Sequence, residues 1–322
     1  MTNERGKFDL DKVIVIVGPT ASGKTKLSID IAEKFNGEVV SADSMQIYRE
    51  VEIATAKPSE EEMKNVRHHL INIRGIEEEF SVFDYVSLAK KSISEIINKD
   101  KIPIICGGTG LYIDSLLNNI EFQKNDRDEE LRKSLLDKAK SEGTEVLIEE
   151  LRKFDPESAE RIHPNNLNRI IRAIEIYKTS GMTMTEQIEN SRKNGFIYDY
   201  LMIGLGFRDR EKLYDRINLR VDKMMESGLV EEARYVNEHD ASKTLLNAIG
   251  YKEVFPYILG NAKIEDCIEK IKMETRRYAK RQLTWFRREK NIHWIFIDDY
   301  ENFDQINDVA SRMIDNFYVG GE

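Results

Sequence analysis

Five consecutive β-branched residues, Val13-Ile14-Val15-Ile16-Val17, run directly into Gly18-Pro19-Thr20-Ala21-Ser22-Gly23-Lys24-Thr25. The first segment reads as a buried strand. The second fits G-x-x-x-x-G-K-[ST], the loop whose backbone N–H groups turn inward around a polyphosphate. Leu27, Ile31 and Phe35 then recur at helical spacing, and Asn36-Gly37 supplies a stop. A strand, a glycine loop and an amphipathic helix in that order fix a βα unit with an anion site at the helix N-terminus. Lys24 would neutralise phosphate oxygens, and the Thr25 hydroxyl would hold Mg2+.

Alternating strand and helix signals continue through the first third of the chain. Glu38–Ala42 reads as a second strand, a helix starts near Ser81 with a capping box, and Ile102–Cys106 reads as a third strand ending in Gly107-Gly108-Thr109-Gly110. Between about Phe122 and Tyr198 apolar strand runs vanish and helical periodicity takes over. Leu201–Leu205 and Ile292–Ile297 then restore strands, separated by the long amphipathic segments Arg210–Ser227, Val230–Glu238 and Ile264–Arg288. The pattern predicts an α/β fold: a P-loop parallel sheet flanked by helices, formed by residues 1–121 and 199–322, with an all-helical insertion at 122–198.

Composition narrows the setting. The 322 residues carry two cysteines, Cys106 and Cys267, in no C-x-x-C or Cys/His cluster, which argues against a zinc site and for a reducing cytoplasm. No apolar run is long enough to span a bilayer, and Met1–Lys12 is too polar for a signal peptide. The net charge of −9 does not by itself suggest a nucleic-acid partner. Its distribution does: Arg276, Arg277, Lys280, Arg281, Arg287, Arg288 and Lys290 face one local acid, Glu289. On a helix the basic residues share one side, with Ala279, Leu283 and Phe286 on the other. A solvated basic face and a phosphate-backbone contact both fit; the arginine density favours the second.

Ligands in open α/β sheets bind beyond the carboxyl ends of strands. Three such ends carry chemistry here: the phosphate loop, Asp43-Ser44-Met45-Gln46 and Gly107–Gly110. A nucleotide hydrolase places an acid after a later core strand; Gly107-Gly108 stands there instead, which counts against an ATPase. Asp43, behind the second strand, is the candidate base that orients an acceptor, or a cap before Ser44. Thr109 either donates to a ligand or caps a helix. His68 and His69 are adjacent, point to opposite faces of a strand, and read as structural. A small-molecule P-loop kinase shares the loop and Asp43 but leaves the helical insertion and the basic run without a purpose.

Taken in order, these blocks resemble the bacterial tRNA dimethylallyltransferases, also called tRNA isopentenyltransferases. The matching pieces are G-P-T-A-S-G-K-T at 18–25, S-A-D-S-M-Q-I-Y-R at 41–49, A-T-A-K-P at 54–58 and H-H-L at 68–70. They continue with G-G-T-G-L-Y at 107–112, N-R-I-I-R-A-I-E-I at 168–176, A-I-G-Y at 248–251 and A-K-R-Q-L-T-W-F-R at 279–287. The resemblance implies transfer of a dimethylallyl group from dimethylallyl diphosphate to N6 of the adenosine 3′ of the anticodon, in tRNAs reading codons that begin with U. It implies that Gly18, Thr20, Ala21, Ser22, Gly23, Lys24 and Thr25 surround the diphosphate with Mg2+, assisted by Arg216 and Arg220. It puts Asp43 at the amine, with Lys24, Thr25 and Thr109 in the catalytic set. Ser44, Met45 and Gln46 are implied at the target base, Gln46 reading the adenine edge bidentately. Arg132, Asn168, Arg169, Arg172, Asn247, Gly250, Lys280, Arg281, Gln282, Trp285 and Arg287 complete the implied tRNA contacts. Asn247 stands where the family commonly has arginine, Ala54 where it has glycine, and Asn72 where it has aspartate. A cytoplasmic monomer with no membrane partner, lacking the zinc finger of eukaryotic relatives, is the expectation.

Overall fold

The computed structural model describes residues 10–120, 128–193 and 195–319. The chain divides into two compact units, Met1–Asp114 with Tyr198–Glu322, and Ser115–Ile197. The boundary expected at residues 121 and 122 lies outside the described residues.

The first unit is built on six parallel strands. In chain order β1 (Asp11–Val17), β2 (Gly37–Ser41), β3 (His68–His69), β4 (Ile102–Gly107), β5 (Tyr198–Gly206) and β6 (Ile292–Phe296) lie side by side as β3-β2-β4-β1-β5-β6. The apolar run is central because both its faces are covered: Val13 to Val17 are fully buried. Helices α1 (Lys24–Lys34), α2 (Glu60–Met63), α3 (Val82–Ile97) and α4 (Gly110–Leu117) follow the first strands. Ser81 caps α3 reciprocally with Asp84, as its spacing predicts.

The second unit contains α5 (Glu129–Glu142), α6 (Thr144–Arg152), α7 (Pro156–Arg161), α8 (Leu167–Ser180) and α9 (Met184–Lys193). Leu135, Leu147, Leu151, Ile170, Ile171 and Ile174 form its own core. Back in the first unit come α10 (Arg210–Glu226), α11 (Leu229–Glu238), α12 (Lys243–Leu246), α13 (Tyr251–Ile258), α14 (Ile264–Phe286) and α15 (Phe303–Val319). Ile306, Ala310 and Ile314 of α15 join Leu27 and Ile31 of α1 in the core against Ile14, Ile16, Ile104 and Ile203. Among the described residues no helix is long and apolar enough to cross a membrane.

One polar cluster holds the sheet edge. Glu38 in β2 is almost fully buried and meets His69 Nε2 at 2.7 Å and Lys101 Nζ at 2.9 Å, with Lys99 at 3.5 Å. His69 is therefore structural, as its position suggests. Burial pushes the Glu38 carboxyl up, but hydrogen bonds from His69 and Lys101 and the lysine charges outweigh it and bring the pKa down to about 2. A depressed carboxylate stabilises the fold above its unfolded pKa and loses that contribution as pH falls. We therefore expect Glu38→Gln to cost on the order of 2 kcal/mol at pH 7. In urea melts the difference from wild type should shrink as pH falls from about 4.5 toward 2; a difference independent of pH would exclude the ionised Glu38 as its source.

Candidate active site

The site begins where β1 gives way to α1. Gly23, in the left-handed region at φ 87°, caps α1 and provides no side-chain hydrogen bond, so the first-turn amides remain available to an anion. Lys24 bends back to donate from Nζ to the Pro19 carbonyl at 2.7 Å, and Arg216 Nε donates to the Ala21 carbonyl at 2.8 Å. Arg216 and Arg220 both come from α10, one helical turn apart.

Two cavities meet at this loop. One, about 700 Å³, is basic, with Lys24, Lys57, Arg216, Arg220 and Lys223 among its lining. The other, about 340 Å³, contains Asp43, Ser44, Met45 and Gln46 together with Tyr278, Arg281 and Asn247. Lys24, Thr25 and Arg220 face both. Asp43 thus opens onto the same space as the phosphate loop. Its Oδ1 accepts from the Met45 amide at 2.9 Å, fixing the turn after β2; among the described residues Oδ2 accepts no hydrogen bond and is the free face of the carboxylate.

The electrostatics are those of cations drawn together in a poorly solvated place. Burial, assisted by the neighbouring Arg220, brings the Lys24 ammonium down to about 8 against the opposing influence of Cys106 and Asp43. Burial likewise lowers Arg220, with Asp43 opposing. A diphosphate bound beside them would raise both, as any nearby opposite charge does.

Gln282 of α14 ties the strand ends together. Its Oε1 accepts from the Thr20 amide at 2.8 Å and its Nε2 donates to the Gly108 carbonyl at 3.0 Å. The G-G-T-G turn is glycine-rich for this reason. A Cβ on Gly108 would lie 2.1 Å from Gln282 Nε2, and one on Gly110 would lie 2.4 Å from the Trp285 indole. Thr109 Oγ1 accepts from the Ser44 amide at 3.2 Å, and the Tyr278 hydroxyl lies close to Thr109 and Gln282. Thr109 therefore joins the second and fourth strand ends, a third role beside the two its sequence suggests.

Several expected residues sit differently from their assignment. Gly18 and Ser22 are buried behind the loop, and the Thr20 amide is committed to Gln282. Gln282 and Trp285 face inward, because the helical stripe they share with Tyr278 packs on the glycine turn. Gln46 accepts from Ser41 Oγ at 3.0 Å and donates to the Ala56 carbonyl at 3.4 Å. Its amide is thus oriented at both ends, with one lone pair of Oε1 and one proton of Nε2 beyond those two bonds. Helix α14 ends at Phe286, and Arg287, in αR conformation with its N–H on the Leu283 carbonyl, keeps the helical register as its cap. Lys280, Arg281 and Arg287 are exposed, whereas Arg276 bonds Asn218 and Arg277 pairs with Glu274. Asn247 is exposed and Gly250 is buried at the start of α13. In the second unit Arg132 bonds the buried Glu175 at 3.2 Å and Asn168 at 3.2 Å, with Arg172 3.6 Å from the same carboxylate. Arg169 beside them is exposed.

Tyr278, Lys57 and His68 line the cavities without having been assigned to them. The A-T-A-K-P block was the only signal for Lys57; the tyrosine reads in sequence as one more aromatic in a basic run.

Comparison with known proteins gives a single picture. A family model described as IPP transferase matches residues 46–289. A tRNA dimethylallyltransferase of Acetivibrio thermocellus is 49% identical over 299 residues, 92% of this chain and 95% of that protein. One of Bacillus cereus is 48% identical over 302 residues, 94% and 95% of the two. The crystal structure of the full-length tRNA isopentenylpyrophosphate transferase of Bacillus halodurans superposes with a TM-score of 0.70 at 42% identity, covering 96% of this chain and 98% of that one. A eukaryotic dimethylallyltransferase acting on tRNA superposes with a TM-score of 0.81 at 32% identity, covering 97% and 80%.

The lowered Lys24 pKa has a measurable consequence. With Lys24 titrating at about 8 in the free protein, a diphosphate ester bound at pH 8.5 should draw a proton onto Nζ. Calorimetry in buffers of different ionisation enthalpy should register that uptake in wild type and lose it in Lys24→Met. Equal proton exchange in the two proteins would rule Lys24 out as the responding group.

Proposed function

The chain belongs to the IPP transferase family, and from that premise we propose that it transfers a dimethylallyl group from dimethylallyl diphosphate to an adenosine of tRNA, at N6 of the nucleotide 3′ of the anticodon in tRNAs reading codons that begin with U. The observation that carries this reading is the cavity shared by Asp43, Lys24 and Thr25. An anion cradle and a carboxylate with one free oxygen face the same space, which suits displacement of a diphosphate by an amine.

The reaction forms a bond from N6 to the allylic C1 and breaks the bond from C1 to the diphosphate oxygen. Negative charge grows on the leaving diphosphate, where the α1 amides, Lys24, Arg216 and Arg220 stabilise it. The adenine amine is a poor nucleophile because its lone pair is delocalised into the ring. Asp43 Oδ2 orients it and takes the proton that N6 must lose as the new bond forms, an effect typically of 10²–10⁴-fold. The target base leaves its stack to reach Asp43, at a cost of a few kcal/mol.

Thr25 fits Mg2+ binding. The residue lines both cavities beside the cradle, and Mg2+ is typically held by one or two protein oxygens together with substrate phosphates and water. When bound there the ion supplies further neutralisation of the leaving group. Exposed Lys280, Arg281 and Arg287, with Asn168 and Arg169 of the helical unit, are the contacts we assign to the RNA backbone. A cytoplasmic monomer is the form we assign to the enzyme.

Incubation with unmodified tRNA and dimethylallyl diphosphate, followed by mass spectrometry of the nucleosides, should yield N6-dimethylallyladenosine. Asp43→Asn, which preserves the Met45 turn, should lower the single-turnover rate by roughly 10²–10⁴ with tRNA affinity held within a few fold. A wild-type rate in Asp43→Asn would remove Asp43 as the base.

A further inference from the structure

The A-T-A-K-P segment at 54–58 is left unused by the chemistry above, yet it walls both cavities. Ala56 and Pro58 face the two of them, Lys57 the basic one, and Ala54 and Thr55 the one holding Asp43. Within the loop, Ala56 is held in the left-handed region at φ 45°, where an L side chain is strained. Such a loop needs an external hold.

Glu232 of α11 provides it. Oε2 accepts from the amides of Glu52 at 2.6 Å and Ile53 at 2.9 Å. Oε1 accepts from the Ala54 amide at 2.9 Å and the Tyr251 hydroxyl at 2.7 Å. Three successive backbone amides turned on one anion form a nest of the kind that binds phosphate; here the anion is the protein's own side chain. Beyond the nest, Lys57 Nζ donates to Asn72 Oδ1 at 2.6 Å and the Ala56 carbonyl receives Gln46. The clamp therefore sets the loop against Gln46 on one side and against the Lys24–Thr25 cradle across the cavity.

We propose that Glu232 is a positioning residue for the transfer: its ionised carboxylate holds residues 52–57 as the wall that keeps the donor's reactive carbon aligned between the cradle and Asp43. The proposal rests on the transferase reading above. Glu232 touches neither reacting atom and acts through the loop, with the Tyr251 hydroxyl steadying its Oε1.

Glu232→Gln keeps the volume but turns an N–H group toward backbone amides that need an acceptor. In the ligand-free protein, hydrogen exchange should show the Glu52, Ile53 and Ala54 amides losing protection, a readout independent of substrate. With dimethylallyl diphosphate and an anticodon stem-loop, the single-turnover rate should fall at least about tenfold, since ångström-scale misplacement costs on the order of 10², while stem-loop affinity stays within about twofold. Glu232→Asp keeps the charge and should retain amide protection and recover part of the rate, which carries the test if the glutamine variant does not fold. Amides that stay protected in Glu232→Gln, or a wild-type rate once protection is lost in either variant, would overturn the proposal. Failure of the wild-type protein to transfer the group at all would instead contradict the transferase reading and leave the exchange result standing.

Discussion

The side-chain amide of Gln282 is the contact on which the rest of the site depends. It accepts from one residue of the phosphate loop, 262 positions away, and donates to Gly108 at the end of β4, 174 positions away. Both bonds are made by a side chain only 6% exposed, where an unmet donor or acceptor costs its full desolvation. The helix that carries Gln282 also brings Tyr278 against Thr109 and Trp285 against Gly110. One face of α14 thereby locks three strand ends into a single geometry, and the glycines of the β4 turn are the space that face needs.

That geometry matters because the charges it brings together are poorly solvated. A chain with a net charge of −9 gathers Lys24, Arg216 and Arg220 around one loop, and burial works against the charge of Lys24 and Arg220. Electrostatic interactions are stronger in such a setting than in water. The same enclosure that penalises the free cations increases their grip on a developing diphosphate. Asp43 supports both cations before any ligand arrives, so base and cradle are electrostatically coupled as well as adjacent.

Local patterns in the sequence carried much of this. The β-branched run, the glycine loop, the Ser81 capping box and the long amphipathic helices lie at or near their predicted positions because each is decided by neighbours a few residues away. What was not legible depends on partners distant in the chain. Gln282 and Trp285 sit inside a basic run, and only the packing of α14 on the β4 turn reveals that they face inward. Glu232 reads as one more acid on a surface helix until the loop at 52–54, about 180 residues earlier, is seen to wrap around it. Helix α14 ends within two residues of its expected limit, with Arg287 as its cap, because periodicity alone does not say where a helix stops. The amide of Gln46 has the right groups for an adenine edge, and only the structure shows that Ser41 and Ala56 fix which way they point.

The cavity that holds Asp43 also admits Lys24, Thr25 and Arg220 of the anion cradle, and the chemistry requires that one space serve both. A crystal structure of the protein with inorganic diphosphate tests it most directly. We expect the anion against the first-turn amides of α1, with Lys24 Nζ and Arg220 turned onto it and an open path to Asp43 Oδ2. Diphosphate seated elsewhere in the basic cavity, or a wall of side chains closed between the anion and Asp43, would contradict it.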